Sequence, residues 1–304
     1  MKYYKPATFE EAVALAAGAE GVTRILAGGT DVLVQMRSDI VTPDTLIDIK
    51  AIPGTHEITR TEDGGWRLGV AVTGAEMSEH PELSREWPGV VEAMDLIGST
   101  QVQGRATLVG NLCNASPAAD SVPAMVAAGV EVTVTGPDGC RREKAENIPA
   151  APGRTTLAKG EVISAVHIPA RGENGGDAYL RFIPRTEMDI AVVGCAVNLR
   201  VDGDTITEAR MALGAVAPTA VLVHAAADAL VGRTLDDPPA ASASSRGLPD
   251  PFPLRDAERR VDLARDLPAV RLHAVRTPDD PLPEVFPESP VPGAPPPDRH
   301  RSAA

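Results

Sequence analysis

The sequence predicts an α+β protein, and three observations lead to that class. The first fifty residues alternate helical and strand-like apolar runs, the middle of the chain continues that mixture, and three strand-like runs near residue 200 precede a helical one. At 304 residues the chain is long enough for more than one hydrophobic core. The pattern divides it into segments 1–55, 56–172 and 173–236, followed by a proline-rich tail at 237–304.

The first segment is a small α/β unit. Thr8 followed by Glu11 is a capping-box pattern ahead of an alanine-rich apolar run, which predicts a helix that stops at Gly18. The next predicted elements are a strand at Arg24–Ala27, a helix at Val32–Arg37 and a strand at Thr45–Ile49. This unit is too short for a full Rossmann domain and has no G-x-G-x-x-G fingerprint.

The second segment is mixed, and the third places strands before a helix. In the second we expect strands at Trp66–Val72, Glu131–Thr135 and Glu161–Pro169, and helices at Gly74–His80, Pro88–Ile97 and Asp120–Gly129. In the third we expect strands at Ala178–Ile183, Ile190–Val201 and Thr205–Leu213, then a helix at Thr219–Val231. The tight turn Asp202-Gly203-Asp204 joins two of these strands as an antiparallel hairpin.

Composition excludes several classes of function. The net charge of −13 argues against nucleic acid or an anionic membrane as a partner. The opening residues lack the apolar core of a signal peptide and no run is long enough to span a membrane, so we expect a cytoplasmic protein. Cys113, Cys140 and Cys195 are far apart, so neither a disulfide framework, a zinc site nor an iron–sulfur cluster of the chain's own is expected.

Two glycine-bearing loops are the most informative feature. Ala27-Gly28-Gly29-Thr30-Asp31 follows a predicted strand and precedes a predicted helix, where backbone amides converge on an anion such as phosphate. Alternatively, the glycines only make the turn, and Thr30 or Asp31 caps the helix. Two such loops in one chain favour a dinucleotide ligand.

The second loop runs from Thr107 to Asn111 in a stretch of small and polar residues. Such residues allow a backbone to approach a planar ligand closely, with Asn111, Ser116 and Asp120 as hydrogen-bonding groups. The alternative is an ordered loop in which Asn114 and Asp120 only cap helices.

Together these motifs resemble the FAD-binding medium subunit of the molybdenum hydroxylases, the family of aerobic carbon monoxide dehydrogenase and xanthine dehydrogenase. Besides the two loops, the resemblance includes several motifs in the family's order: Tyr4-x-Pro6, Ala115-Ser116-Pro117, Glu161–Pro169, Asp189-Ile190-Ala191 and Leu213–Thr219. It covers about residues 1–235. The implied fold is the vanillyl-alcohol-oxidase (PCMH) type, with FAD between two subdomains, plus a C-terminal α+β domain with a three-stranded antiparallel sheet.

The resemblance also implies the cofactor-binding residues. The first loop is expected to hold the pyrophosphate, and the second to lie beside the flavin. Asp120 would contact the polar chain of the cofactor, Ile163 matches an apolar position near adenine or flavin, and Arg181 matches a position usually held by lysine. The full set is Leu26, Ala27, Gly28, Gly29, Thr30, Asp31, Val32, Thr107, Val109, Gly110, Asn111, Asp120, Ile163 and Arg181.

The chain departs from the family pattern at four places. Val109 replaces the first of two adjacent glycines, where a side chain would crowd the flavin or require a shifted backbone. Gln103-Gly104 precedes Arg105 in place of an Arg-Asn pair, and Arg181 is not an equivalent donor to lysine. The fourth departure is the tail, which holds 15 of the 28 prolines and is expected to be disordered or loosely packed. Two explanations stay open: a lineage-specific tail, or a frameshift in a GC-rich gene.

The resemblance implies an oxidoreductase subunit that passes electrons from iron–sulfur clusters through FAD to NAD, a quinone or oxygen. Its expected partners are a molybdenum-cofactor large subunit and a [2Fe–2S] small subunit, in a heterotrimer that dimerises. No catalytic acid or base and no metal ligand is assigned to this chain, and the histidines are expected to have structural or solvent-exposed roles. Two alternatives remain: a free-standing flavin oxidase, and a flavin-free assembly subunit in which Val109 and the tail have abolished FAD binding. Cys113 lies inside the second loop, so covalent attachment of a flavin through its thiol is a further alternative.

Overall fold

The computed structural model describes residues 1–185 and 188–235. The first segment is a three-stranded parallel sheet with two connecting helices, and its strand order is β1-β3-β2. The helix after Thr8 begins as predicted, because the Thr8 hydroxyl accepts a hydrogen bond from the Glu11 amide at 3.2 Å. The elements are β1 (Lys2–Tyr4), α1 (Phe9–Gly18), β2 (Thr23–Leu26), α2 (Val32–Arg37) and β3 (Thr45–Asp48).

The second segment builds a five-stranded antiparallel sheet in which the last strand lies in the middle. Its first strands and helices are β4 (Ile58–Arg60), β5 (Trp66–Gly69), α3 (Gly74–Glu79), α4 (Pro81–Glu86), α5 (Pro88–Asp95), α6 (Thr100–Gln103), α7 (Leu108–Asn114) and α8 (Ser121–Ala128). The remaining strands are β6 (Glu131–Gly136), β7 (Gly139–Lys144), β8 (Pro149–Ala151), β9 (Arg154–Thr155) and β10 (Val162–Ile168). The order is β4-β5-β10-β6-β7, and β8 pairs with β9 separately.

One sequence prediction in this segment is wrong. Residues from Leu108 onward were expected in a loop, but they form helix α7. The Thr107 hydroxyl accepts a hydrogen bond from the Gly110 amide at 3.0 Å, which is the interaction of an N-cap residue. Glycine is a poor helix former, so Gly110 made the start of α7 difficult to predict from the sequence.

The third segment is a four-stranded antiparallel sheet rather than a three-stranded one. Its elements are β11 (Gly175–Phe182), β12 (Val193–Asp202), β13 (Thr205–Gly214), β14 (Val221–Leu222) and α9 (His224–Asp228). The helix expected at Thr219–Val231 therefore starts later, because Val221 and Leu222 pair with β13. The turn at Asp202–Thr205 joins β12 and β13 as expected.

The described residues form two hydrophobic clusters, and the larger one joins the three segments. The larger extends over the first two segments and includes Tyr179, Ala196 and Ala212 from the third, so one face of the third sheet packs against α5 and α8. The smaller lies on the opposite face, where α9 covers residues such as Val197 and Met211. The third domain is thus joined to the others through a buried apolar contact.

The predicted tail at 237–304 lies outside the described residues, so its two explanations stay open. Within 1–185 and 188–235, no helix is both long and apolar enough to cross a bilayer.

Candidate functional site

A cavity of about 620 Å³ lies between the first two segments, which is in the range of small-molecule and cofactor sites. Three parts of the chain provide most of its lining: the end of β2 with the turn into α2, helix α7 with its cap Thr107, and the stretch from Gly153 to Ile163 at the start of β10. Ten of the fourteen predicted residues lie in its wall: Ala27, Gly28, Gly29, Thr30, Asp31, Val32, Thr107, Val109, Gly110 and Ile163.

The first wall of the cavity, residues 27–32, presents backbone donors. The amides of Gly29, Thr30 and Asp31 donate to no acceptor within the part of the chain that the structure describes. Asp31 occupies the N-cap position of α2 without a side-chain cap bond, and burial raises the pKa of its carboxyl. Unpaired amides at a helix start form an anion-binding arrangement.

Gly28 has a structural role besides the one its motif indicates. A Cβ atom there would lie 2.0 Å from the backbone oxygen of Arg105, which precedes the second loop. The glycine is therefore needed for contact between the two walls, in addition to any approach of a ligand. Gly29 has φ +83°, a conformation that side chains other than glycine's rarely adopt.

The second wall, at the start of α7, is a packed platform. Leu108, Val109 and Leu112 are buried there, and Gln35 Nε2 on α2 donates to Asn114 Oδ1 at 2.9 Å. The Val109 side chain is 6% exposed and belongs to the larger hydrophobic cluster, although Val109 also lines the cavity. Val109 has thus been accommodated without closing the site.

The four remaining predicted residues do not line the cavity. Leu26 is buried at the end of β2. Asn111 Oδ1 accepts hydrogen bonds from the amide and hydroxyl of Ser121, at 3.3 and 2.7 Å. Asp120 pairs with Arg181 at 2.8 Å behind the second wall. Contact of these four with a cofactor stays a prediction.

Sequence reasoning missed two cations in the wall. Arg24 and Lys159 both line the cavity, from β2 and from the turn before β10. Neither belongs to a glycine motif, so only their position after folding connects them with the site. Their charges suit an anionic ligand.

Cys113 also lines the cavity, but its chemistry does not suit covalent attachment. Burial raises the pKa of its thiol to about 12, so the nucleophilic thiolate is scarce at neutral pH. We therefore assign Cys113 a packing role.

These residues fit a phosphate-bearing cofactor with a large planar body. Free amides of the first wall suit a pyrophosphate, and the apolar surface at Val109 and Ile163 suits a ring system.

Comparison with known proteins agrees with this reading of the site. Residues 1–171 match the family model "FAD binding domain in molybdopterin dehydrogenase". Residues 178–267 match "CO dehydrogenase flavoprotein C-terminal domain". The second match extends beyond residue 236, where we expected the third segment to end.

Individual relatives give the same result. The chain is 32% identical over 220 residues to the putative xanthine dehydrogenase FAD-binding subunit of Escherichia coli (strain K12), covering 72% of this chain and 75% of that one. It is 29% identical over 261 residues to the carbon monoxide dehydrogenase medium chain of Hydrogenophaga pseudoflava, covering 86% and 90%.

A solved carbon monoxide dehydrogenase from Hydrogenophaga pseudoflava superposes with a TM-score of 0.81 at 29% identity, covering 90% of this chain and 96% of that one. The predicted fold class is confirmed, and so is the cofactor, FAD. The chain belongs to the family of FAD-binding subunits of molybdenum-dependent dehydrogenases, which are oxidoreductases.

Proposed function

We propose that this chain is the electron-transfer subunit of a molybdenum hydroxylase, and that it relays electrons from iron–sulfur clusters of a partner to a final acceptor. The acceptor classes are NAD, a quinone or oxygen. FAD, when bound, supplies this link because it exchanges electrons both singly and in pairs. The observation that supports the proposal most directly is the cavity between the two walls, in a chain whose family binds FAD.

The residues of the chain would act by binding and orientation. The amides of Gly29, Thr30 and Asp31 would hold the pyrophosphate, and Arg24 and Lys159 would balance part of its charge. Thr107, Val109 and Gly110 would support the flavin end. This arrangement positions a redox cofactor and requires no catalytic acid or base from the chain itself.

The proposed assembly has two partner types: a large subunit with the molybdenum cofactor, and a small subunit with two [2Fe–2S] clusters. The relatives support it, because they are named as medium chains or FAD-binding subunits of xanthine and carbon monoxide dehydrogenases. Substrate oxidation would take place in the large subunit, so the isolated chain would have no substrate turnover. The three subunits would form a heterotrimer that dimerises.

The experiment has two stages. The full chain is purified and titrated with FAD, with binding followed by flavin absorption and by chromatography of the released cofactor. It is then mixed with a reduced [2Fe–2S] small subunit of the proposed complex, and bleaching of the flavin absorption is recorded. We expect about one FAD per chain and bleaching that requires the iron–sulfur subunit. FAD binding without bleaching would overturn the electron route, and substrate turnover by the isolated chain would favour a free-standing oxidase.

A further inference from the structure

A buried tyrosine connects the C-terminal sheet with the region behind the cavity. Tyr179 lies on β11 and is 2% exposed. Its hydroxyl donates to Asp120 Oδ1 at 2.9 Å, while Arg181 Nη1 donates to Asp120 Oδ2 at 2.8 Å. The Tyr179 backbone amide donates to a carboxylate oxygen of Glu92 on α5 at 3.3 Å. Both oxygens of Asp120 are thus occupied by donors from the C-terminal domain.

The hydroxyl of Tyr179 affects the charge of Asp120. Burial raises the pKa of the Asp120 carboxyl, and Arg181 and Tyr179 act in the opposite direction. Burial and the neighbouring Asp120 raise the pKa of Tyr179, so the phenol stays protonated and remains a donor. Removing the hydroxyl would leave the Asp120 carboxylate short of one stabilising hydrogen bond.

A chain of direct contacts runs from Asp120 to the cavity wall. Asp120 immediately precedes Ser121, whose amide and hydroxyl donate to Asn111 Oδ1 at 3.3 and 2.7 Å. Asn111 follows Gly110, which lines the cavity and whose amide is bound by Thr107. A shift of Asp120 would therefore be transmitted to α7 through few intervening bonds.

Arg181 has a donor without a partner. Its side chain is 7% exposed, and among the described residues its buried Nε atom has no hydrogen-bond acceptor. A buried unpaired guanidinium N–H is costly, so such a group indicates an acceptor from outside the described residues, and a bound cofactor is one such source. Asp120, which Tyr179 orients, fixes the position of this guanidinium.

We propose that Tyr179 is a positioning residue for the FAD site: it orients Asp120, which in turn fixes Arg181 and the α7 wall. The inference rests on the proposed function, since it assumes that FAD occupies the cavity. It assigns Tyr179 no contact with the cofactor. It predicts that packing of the C-terminal domain against the first two segments and the affinity for FAD are coupled. Bound FAD should therefore stabilise the contact between the domains.

The chain offers a matched control in a second buried joint between the same domains. Asp177 on β11 pairs with Arg171, whose guanidinium lies 3.8 Å from the centre of the Trp87 ring. Asp177 also accepts a hydrogen bond from the Val90 amide at 3.1 Å, at the start of α5. None of these residues lines the cavity. A variant there tests whether any loosening of the domain contact is enough to change the flavin site.

The experiment compares Tyr179→Phe with Asp177→Asn in the full chain. For each we measure the Tm without FAD, the Kd for FAD and the reduction potential of the bound flavin. We expect both variants to lower the Tm. Only Tyr179→Phe should raise the Kd, by about fivefold or more, and make the potential more positive, because a less ionised Asp120 leaves the Arg181 charge unbalanced.

The outcomes separate this inference from the proposed function. A Tyr179→Phe variant with a lower Tm but unchanged Kd and potential overturns the positioning role, and so does an equal change of Kd in Asp177→Asn. If Tyr179→Phe does not fold, Asp120→Asn replaces it, with the same expected changes. A wild-type chain that binds no FAD overturns the proposed function and this inference with it.

Discussion

The two walls of the cavity contrast, although both lead into a short helix and both contain glycine, in the turn before α2 on the first wall and within α7 on the second. Helix α2 on the first wall has no buried residue, and its N-cap Asp31 makes no side-chain cap bond. Helix α7 on the second wall has three buried residues, and Thr107 caps its start. The amides of Gly29, Thr30 and Asp31 on the first wall stay available, whereas on the second wall the Thr107 hydroxyl accepts a hydrogen bond from the Gly110 amide.

This difference shows that similar motifs have different structural roles. An uncapped helix start can bind an anion, because its backbone amides have no acceptor within the helix and remain free to donate to a ligand. A capped and packed helix instead provides a fixed surface. Gly28 joins the two, since its close approach to the Arg105 oxygen sets their separation.

The largest expected effect comes from forcing the walls apart. In Gly28→Ala the new methyl group would lie 2.0 Å from the Arg105 backbone oxygen, and backbone cannot rotate away as a side chain can. We expect a loss of stability of about 3 kcal/mol and at least a tenfold weaker affinity for FAD. Urea unfolding measures the loss of stability, and flavin titration measures the affinity for FAD.

Gly18→Ala is the matched control, because nothing lies within 4 Å of a Cβ atom at that position in α1. It should be neutral or slightly stabilising, as alanine favours a helix over glycine. Equal effects of the two substitutions would show that contact between the walls is not what Gly28 provides.

The next effect tests the packed wall. Val109→Gly removes a side chain that is 6% exposed and places glycine inside α7, so stability should fall by about 2 to 3 kcal/mol. The affinity for FAD should be unchanged or higher, because space beside the cavity is gained. Thermal unfolding and FAD titration of the same samples measure both properties.

Val109→Ala separates packing from helix propensity, since alanine loses the apolar contacts but favours the helix. We expect Val109→Ala to lose about half as much stability as Val109→Gly. If Val109→Gly weakens FAD binding, the valine side chain supports the cofactor and is not merely tolerated.

A smaller effect is expected from the cap. Thr107→Ala removes the acceptor for the Gly110 amide, which should cost about 1 kcal/mol of stability. Thr107→Ser keeps an acceptor and should recover most of it. Chemical unfolding of the FAD-free chain gives the comparison; equal stability of Ala and Ser variants would mean that the cap contributes nothing.

Local signals made the first wall easier to predict than the second. The run Arg24–Ala27, the glycine pair and the following apolar run correctly predicted a strand, a turn and helix α2. On the second wall, Gly110 at a helical position disguised the start of α7, and only the Thr107 hydrogen bond makes that start evident. A threonine cap is a weak sequence signal when glycine occupies the third helical position, because glycine there disfavours the helix.

Long-range contacts could not be predicted from either wall. Arg24 and Lys159 are about 135 positions apart, and no pattern in the sequence indicates that both line one cavity. The same holds for Tyr179 and Asp120, whose hydrogen bond depends on how the third sheet packs against α8. The resemblance to a family provided the residue set, while the structure shows which of these residues line the wall and which lie behind it.

The smallest expected effect concerns Asp31, the acidic residue of the uncapped wall. Burial raises the pKa of its carboxyl, and its charge would repel a bound pyrophosphate. Since the raised pKa favours the neutral form, affinity for FAD should increase as the pH falls through that pKa and decrease above it. Asp31→Asn should bind FAD about fivefold more tightly at neutral pH, from about 1 kcal/mol of repulsion, and lose this pH dependence. Flavin titrations between acidic and neutral pH test both the tighter binding and the lost pH dependence. Weaker binding by Asp31→Asn would instead identify the carboxylate as an acceptor for a cofactor hydroxyl. The first wall would then bind more of the cofactor than its pyrophosphate.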